Sequence, residues 1–216
     1  MYIPMSRSKL HKPLLATMPS IPDPPEPELG DDRFSRKFKN WREWRNTVDF
    51  LTNLHIGVDD SQVFCSPQDP PDVFYQDAAF EVKEIMDEGR RRHEEAKQAR
   101  NNSLHGNGKS YIKSRFAIDL FPADAAQLVL KHLNSINSRY LPGMKERTDI
   151  LFYINKINHW FDDGPVPSNE LFEPYGWRSV SAVIFNNVSI VFQTSNSAPQ
   201  FLRDNLGKAR LRSEPI

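Results

Sequence analysis

The stretch CSPQDPPDVFYQDAAFEVKEIMDEGRRRH, Cys65 to His93, decides how this 216-residue chain reads. It runs from a Pro70-Pro71-Asp72 turn into an apolar segment carrying Glu81-Val82-Lys83, and then into a dense basic segment. On a strand, period two sets Glu81 and Lys83 on one face and Phe80 and Val82 on the other. Buried beside apolar neighbours, that carboxylate and that ammonium would require partners or a metal ion. Two carboxylates with a lysine are also a known kit for metal-assisted phosphodiester cleavage. An ion pair between Glu81 and Lys83 on an amphipathic strand has the same spelling, so the surroundings have to decide.

Working outward, short apolar runs over 61–66, 73–75 and 79–85 predict three strands, joined by the Asp69–Asp72 turn and a reversal at Gln76-Asp77. Before them, Phe38, Trp41, Trp44, Val48, Leu51 and Leu54 recur at steps of three and four, which predicts a helix over 38–55. Glu43 lies on the flank of that stripe, where it can face a cleft edge or pair with Lys39 or Arg42. After the strands, residues 86–100 read as a helix, with Gly89 near its start and charge pairs Glu88–Arg92, Arg90–Glu94 and Arg91–Glu95 at helical spacing. From Lys83 to Arg115 there are nine basic residues against five acidic ones, an excess placed where a phosphate backbone could lie. A solvated, ion-paired helix face is the competing reading.

Further on, a brief strand is expected over 116–120 and a helix over 122–140, with Ala125, Ala126, Val129, Leu133, Ile136 and Tyr140 on one face. An apolar strand over 149–155, a long loop over 161–177 and a hairpin over 180–194 turning at Asn186-Asn187 complete the pattern. The order of elements predicts an α/β sandwich on a mixed sheet.

Composition narrows the class. Net charge is zero, with 28 basic and 28 acidic residues, so any basic surface must be local. A single cysteine, Cys65, excludes a disulfide framework and a cysteine-based zinc site. No apolar run is long enough to span a membrane and no secretory leader is evident, so a cytoplasmic protein is expected. Seven of the 17 prolines fall within residues 1–32, which read as an extended arm preceding one domain over 33–216.

Pro71-Asp72 opening the second strand and Glu81-x-Lys83 on the third resemble the PD-(D/E)xK nuclease superfamily. The segments PPDVFY and FEVKEIMDEGRRRH are more closely similar to an uncharacterised bacterial family of endonuclease-like proteins, over residues 35–200. The resemblance implies a restriction-endonuclease-like sandwich, with a mixed central β-sheet flanked by helices. It implies Asp72 and Glu81 as ligands of Mg²⁺ or Mn²⁺, Lys83 as the residue that orients or activates water, and Glu43 as an added catalytic carboxylate. Arg90, Arg91, Arg92, His93 and Lys97 would then hold nucleic acid, with DNA expected before RNA; a homodimer is left open. The alternative is a nuclease-like module that binds nucleic acid or protein without cutting. Convergence of Asp72, Glu81 and Lys83 within about 6 Å would favour chemistry, since both carboxylates must reach one ion.

Overall fold

A computed structural model describes residues 34–91, 94–95 and 118–212, together with 24 and 26–28. Seven strands form one mixed sheet: β1 (Val63–Cys65), β2 (Val73–Tyr75), β3 (Ala78–Met86), β5 (Asp149–Asn155), β7 (Ser179–Ile184), β8 (Val188–Thr194) and β9 (Ala209–Leu211), in that spatial order. β3, β5 and β7 run parallel, and antiparallel pairs flank them on both sides. A separate parallel pair joins β4 (Ile118–Leu120) to β6 (His159–Phe161).

Two helices cover the two faces. Helix α1 (Lys39–Asn53) buries Val48, Phe50 and Leu51 against Phe80, Val82, Leu151, Val183 and Val191. Helix α2 (Pro122–Ile136) buries Ala125, Ala126, Val129, Leu133 and Ile136 against Ile150, Phe152, Ile154, Ala182 and Phe192 on the opposite face. Odd and even residues of each strand therefore feed separate cores, as the pleat demands. Being covered on both faces, β5 and β7 are apolar almost throughout. Buried polar groups fix the register: Asn53 donates to Ser189 Oγ at 3.1 Å, and Ser189 donates to the Phe50 carbonyl at 3.0 Å.

The expected helix over 122–140 is shorter, because Asn137–Arg139 tighten into a 3₁₀ turn and Leu141 leads into the one-turn helix α3 (Pro142–Lys145). A further one-turn helix, α4 (Gln200–Arg203), precedes β9. The β7–β8 turn is centred on Phe185 and Asn186, both left-handed, with Asn187 N–H donating to the Ile184 carbonyl; it lies one residue earlier than expected.

The expected helix from Met86 needs a larger correction. Met86 still belongs to β3, and Gly89 adopts φ +74°, which no α-helix accommodates. Arg90 pairs with Glu95 and Arg91 with Glu94, in place of the anticipated Arg90–Glu94 and Arg91–Glu95, while Glu94 and Glu95 are helical and Arg92 of the third pair lies outside the described residues. Of the proline-rich arm, Pro27 is buried and residues 1–23 lie outside the described residues. No helix among the described residues is long and apolar enough to cross a membrane.

Candidate functional site

The site is built where β2 stops pairing with β3. The ladder sets Val73 opposite Phe80, and Asp72 N–H donates to the Phe80 carbonyl at 2.8 Å. One step further, Pro71 and Pro70 have no N–H to continue the ladder. The Asp72 carboxylate takes over and accepts the Val82 N–H at 2.9 Å. This capping buries Asp72 and aims its other oxygen along the open edge of β3.

Glu81 and Lys83 lie on the face of β3 toward α2, opposite Ile150 and Phe152 of β5. Glu81 is 1% exposed, and Lys83 Nζ sits 2.5 Å from its Oε1 and 3.9 Å from Asp72 Oδ2. Oxygens of Asp69, Asp72 and Glu81 all fall within 4.8 Å of one another. The expected convergence is therefore present, with Asp69 as an added carboxylate.

Three residues that the sequence reading did not assign complete the site. Lys39, in the first turn of α1, places Nζ 3.1 Å from each of Glu43, Asp69 and Asp72. Tyr140, just beyond α2, donates its hydroxyl to Glu81 Oε1 at 2.6 Å. Asp69 was visible only as the acid opening a proline turn. Glu43 pairs with Lys39, and through that ammonium it is linked to Asp69 and Asp72.

Burial and the neighbouring Asp72 charge push the Glu43 carboxyl up to about 7, against the pull of Lys39. Glu81 is raised by burial and by Asp72, opposed by Lys83 and Tyr140. Burial disfavours the Lys39 ammonium, but hydrogen bonding to Asp69 and the charges of Asp72 and Glu43 outweigh this and hold it above the usual lysine range. Burial and the Glu81 hydrogen bond also raise Tyr140. The cluster thus crowds negative charge that two ammonium groups only partly offset.

A stability consequence follows from Glu43. Its folded pKa lies above the unfolded one, so ionising it costs folding energy as pH rises through about 7. In chelator, Glu43→Gln should be more stable than wild type at pH 8, by on the order of 1–2 kcal/mol after solvent screening. The gap should close near pH 4, where both states hold the proton. Denaturation curves at the two pH values check this; equal stability at pH 8 would mean that Glu43 ionises without penalty.

The donor set suits a hard cation. All the carboxylate ligands are oxygen, as Mg²⁺ and Mn²⁺ prefer. Glu81 Oε2 is buried without a hydrogen-bond partner, an orphan acceptor that a cation would satisfy. Lys39 Nζ already stands as a cation among three carboxylates. The residues present therefore fit a divalent ion.

The nucleic-acid residues named from sequence are less concentrated. Arg90 donates Nη1 to the Asn155 carbonyl at 3.1 Å and pairs with Glu95, so it ties the end of β3 to β5. Arg91 is largely exposed beside Glu94. Arg92, His93 and Lys97 lie outside the described residues.

Comparison with known proteins adds a fold neighbour and a family. The fold is similar to the structure of a protein of unknown function from Pseudomonas aeruginosa strain PAO1, which carries the name monooxygenase superfamily. The TM-score is 0.56 at 24% identity, over 82% of this chain and 84% of that one, a likeness that bears on fold alone. No curated protein sequence matches the chain. A family model matches residues 28–214, spanning α1, the carboxylate–lysine edge and the whole sheet. The chain belongs to the DUF1780 family, described as "Putative endonuclease, protein of unknown function".

Proposed function

We propose that the protein is a metal-dependent endonuclease, hydrolysing phosphodiester bonds of nucleic acid at the open edge of β3. The observation that carries this reading is the convergence of Asp69, Asp72 and Glu81 oxygens within 4.8 Å, with Lys83 Nζ 2.5 Å from Glu81. Fold and spacing support a PD-(D/E)xK-type site on a restriction-endonuclease-like sandwich: a mixed sheet, an aspartate opening one strand, and E-x-K on the next. The family description agrees in direction.

Asp72 and Glu81 would hold Mg²⁺ or Mn²⁺, with Asp69 at the solvent side. When bound, such an ion supplies positive charge at the phosphate and acidifies water. The chain's own residues do the rest. Tyr140 pins Glu81 Oε1, and Oε2 is buried without a hydrogen-bond partner. Val82 N–H fixes Asp72. Lys83, held between Asp72 and Glu81, presents an ammonium that can orient a water or a phosphate oxygen at the reacting phosphorus. Lys39 keeps Glu43, Asp69 and Asp72 together and offers charge to a non-bridging oxygen. DNA is the expected substrate, and residues 33–216 are proposed to form one domain preceded by the arm over 1–32.

The test uses supercoiled plasmid and single-stranded oligonucleotide with Mn²⁺ or Mg²⁺. Cleavage that stops in chelator is expected, together with Mn²⁺ binding that Asp72→Asn and Glu81→Gln abolish in calorimetry. Nucleic-acid binding without cleavage would assign a non-catalytic module. Neither binding nor cleavage would overturn the reading.

A further inference from the structure

A cavity of about 470 Å³ opens on the other side of the same strand edge. Val82 lines it from β3, on the face opposite Glu81 and Lys83, and Lys39 and Glu43 are shared between the cavity and the carboxylate cluster. Three of its walls are aromatic: Phe34, Trp41 and Tyr153. The hairpin turn contributes Asn186.

We propose that this cavity receives an unpaired nucleobase of the substrate strand. The inference rests on the nuclease reading and names the form of its substrate. Size comes first: the volume falls within the range of small-ligand pockets, roughly 300–1,000 Å³. Lining comes second, since aromatic side chains give a base a stacking surface whatever its sequence.

Asn186 is held fixed in the wall of the cavity. Its Nδ2 donates to Asp49 Oδ2 at 2.7 Å, and Asp49 is itself held by Arg45 at 3.3 Å and Arg212 at 3.1 Å. An ionised carboxylate only accepts, so the amide can present just one way round. Asn186 Oδ1 is left buried with no hydrogen-bond partner.

Placement supplies the last step. A strand crossing the edge of β3 sets a phosphate at Asp72 and Glu81 and an adjoining base on the α1 side, with Lys39 between them. A base paired and stacked within a duplex cannot enter a cavity, so the substrate presents it single-stranded or flipped out.

The experiment measures binding of full-length protein to labelled single strands in chelator, by fluorescence anisotropy. Oligodeoxyadenylate and oligodeoxycytidylate should bind about ten- to a hundredfold more tightly than an abasic strand of equal length, the range expected for loss of one stacked base. They should also bind more tightly than a fully paired duplex. Trp41→Ala should lose a similar factor, and Trp41→Phe should restore most of it. Equal binding of abasic and base-bearing strands by the wild-type protein would overturn the proposal, and that arm needs no variant to fold. Displacement of the strand by an equal concentration of free dAMP would overturn its assignment to a strand. Base-dependent binding without cleavage in Mn²⁺ would refute the nuclease reading alone, whereas cleavage without base dependence would refute the cavity assignment alone.

Discussion

Lys83→Ala should abolish detectable cleavage while leaving Mn²⁺ binding in place. Losing one group that handles a proton or positions a reacting oxygen costs roughly 10²–10⁴ in rate. The carboxylates remain in this variant, and their mutual repulsion is no longer offset by the ammonium 2.5 Å from Glu81. Affinity for a divalent cation should therefore hold or rise, since an opposite charge gains whatever the lysine gave up. Calorimetry with Mn²⁺ and a plasmid-nicking time course separate the two effects. Activity equal to wild type would mean that Lys83 only neutralises Glu81, or that a contaminating nuclease does the cutting.

Arg178→Met should be the most damaging single change to stability outside the hydrophobic cores. Asp149, at the start of β5, has no exposed side-chain surface. Its carboxylate accepts from the Arg178 guanidinium at Nε (3.0 Å) and at Nη2, from Ser179 Oγ at 2.8 Å and from Ala79 N–H at 3.0 Å. These bonds tie the first residues of β3, β5 and β7 together. Removing the guanidinium leaves a buried, uncompensated charge, which costs about 3–5 kcal/mol. Urea denaturation at pH 7.5 should show that loss. It should shrink as pH falls, because a buried carboxyl without its partner takes up a proton readily. A loss below about 1 kcal/mol at pH 7.5 would mean that solvent reaches Asp149 once Arg178 is gone.

The elements that sequence made legible are those whose apolar pattern lasts. The segment over 38–54, which contains helix α1, shows six apolar residues at helical spacing, β5 is a continuous apolar run, and the two faces of β3 follow directly from alternation. Asp72, Glu81 and Lys83 were legible as a group because they lie within one hairpin, where register alone brings them together. Lys39 and Tyr140 were not, although both touch the cluster. Lys39 stands 33 positions before Asp72, and Tyr140 stands 59 after Glu81. Their approach depends on how α1 and α2 settle on the sheet, which no local pattern encodes. Strands β6 and β9 were not read from the sequence, since they fall at the start of the expected loop and in a basic tail. The charge spacing over 86–100 was helical, but Met86 stays in β3 and Gly89 is left-handed, so the start of that stretch is not helix, whereas Glu94 and Glu95 are.

The order of the large sheet carries a kinetic meaning. Each strand in it pairs with the next one along the chain that belongs to the sheet, so both ends are built from nearest-neighbour antiparallel pairs. The long step is the parallel join of β3 to β5, which sets Glu81 beside Ile150 and must close across the intervening α2. Contacts of low sequence separation form early at little entropic cost, and distant ones set the pace. Asp72 and Glu81 thus come together in the early class, while the β3–β5 crossover governs the folding rate. A change that slows closure of that crossover would delay the fold as a whole while leaving the carboxylate spacing of the nascent hairpin as it is.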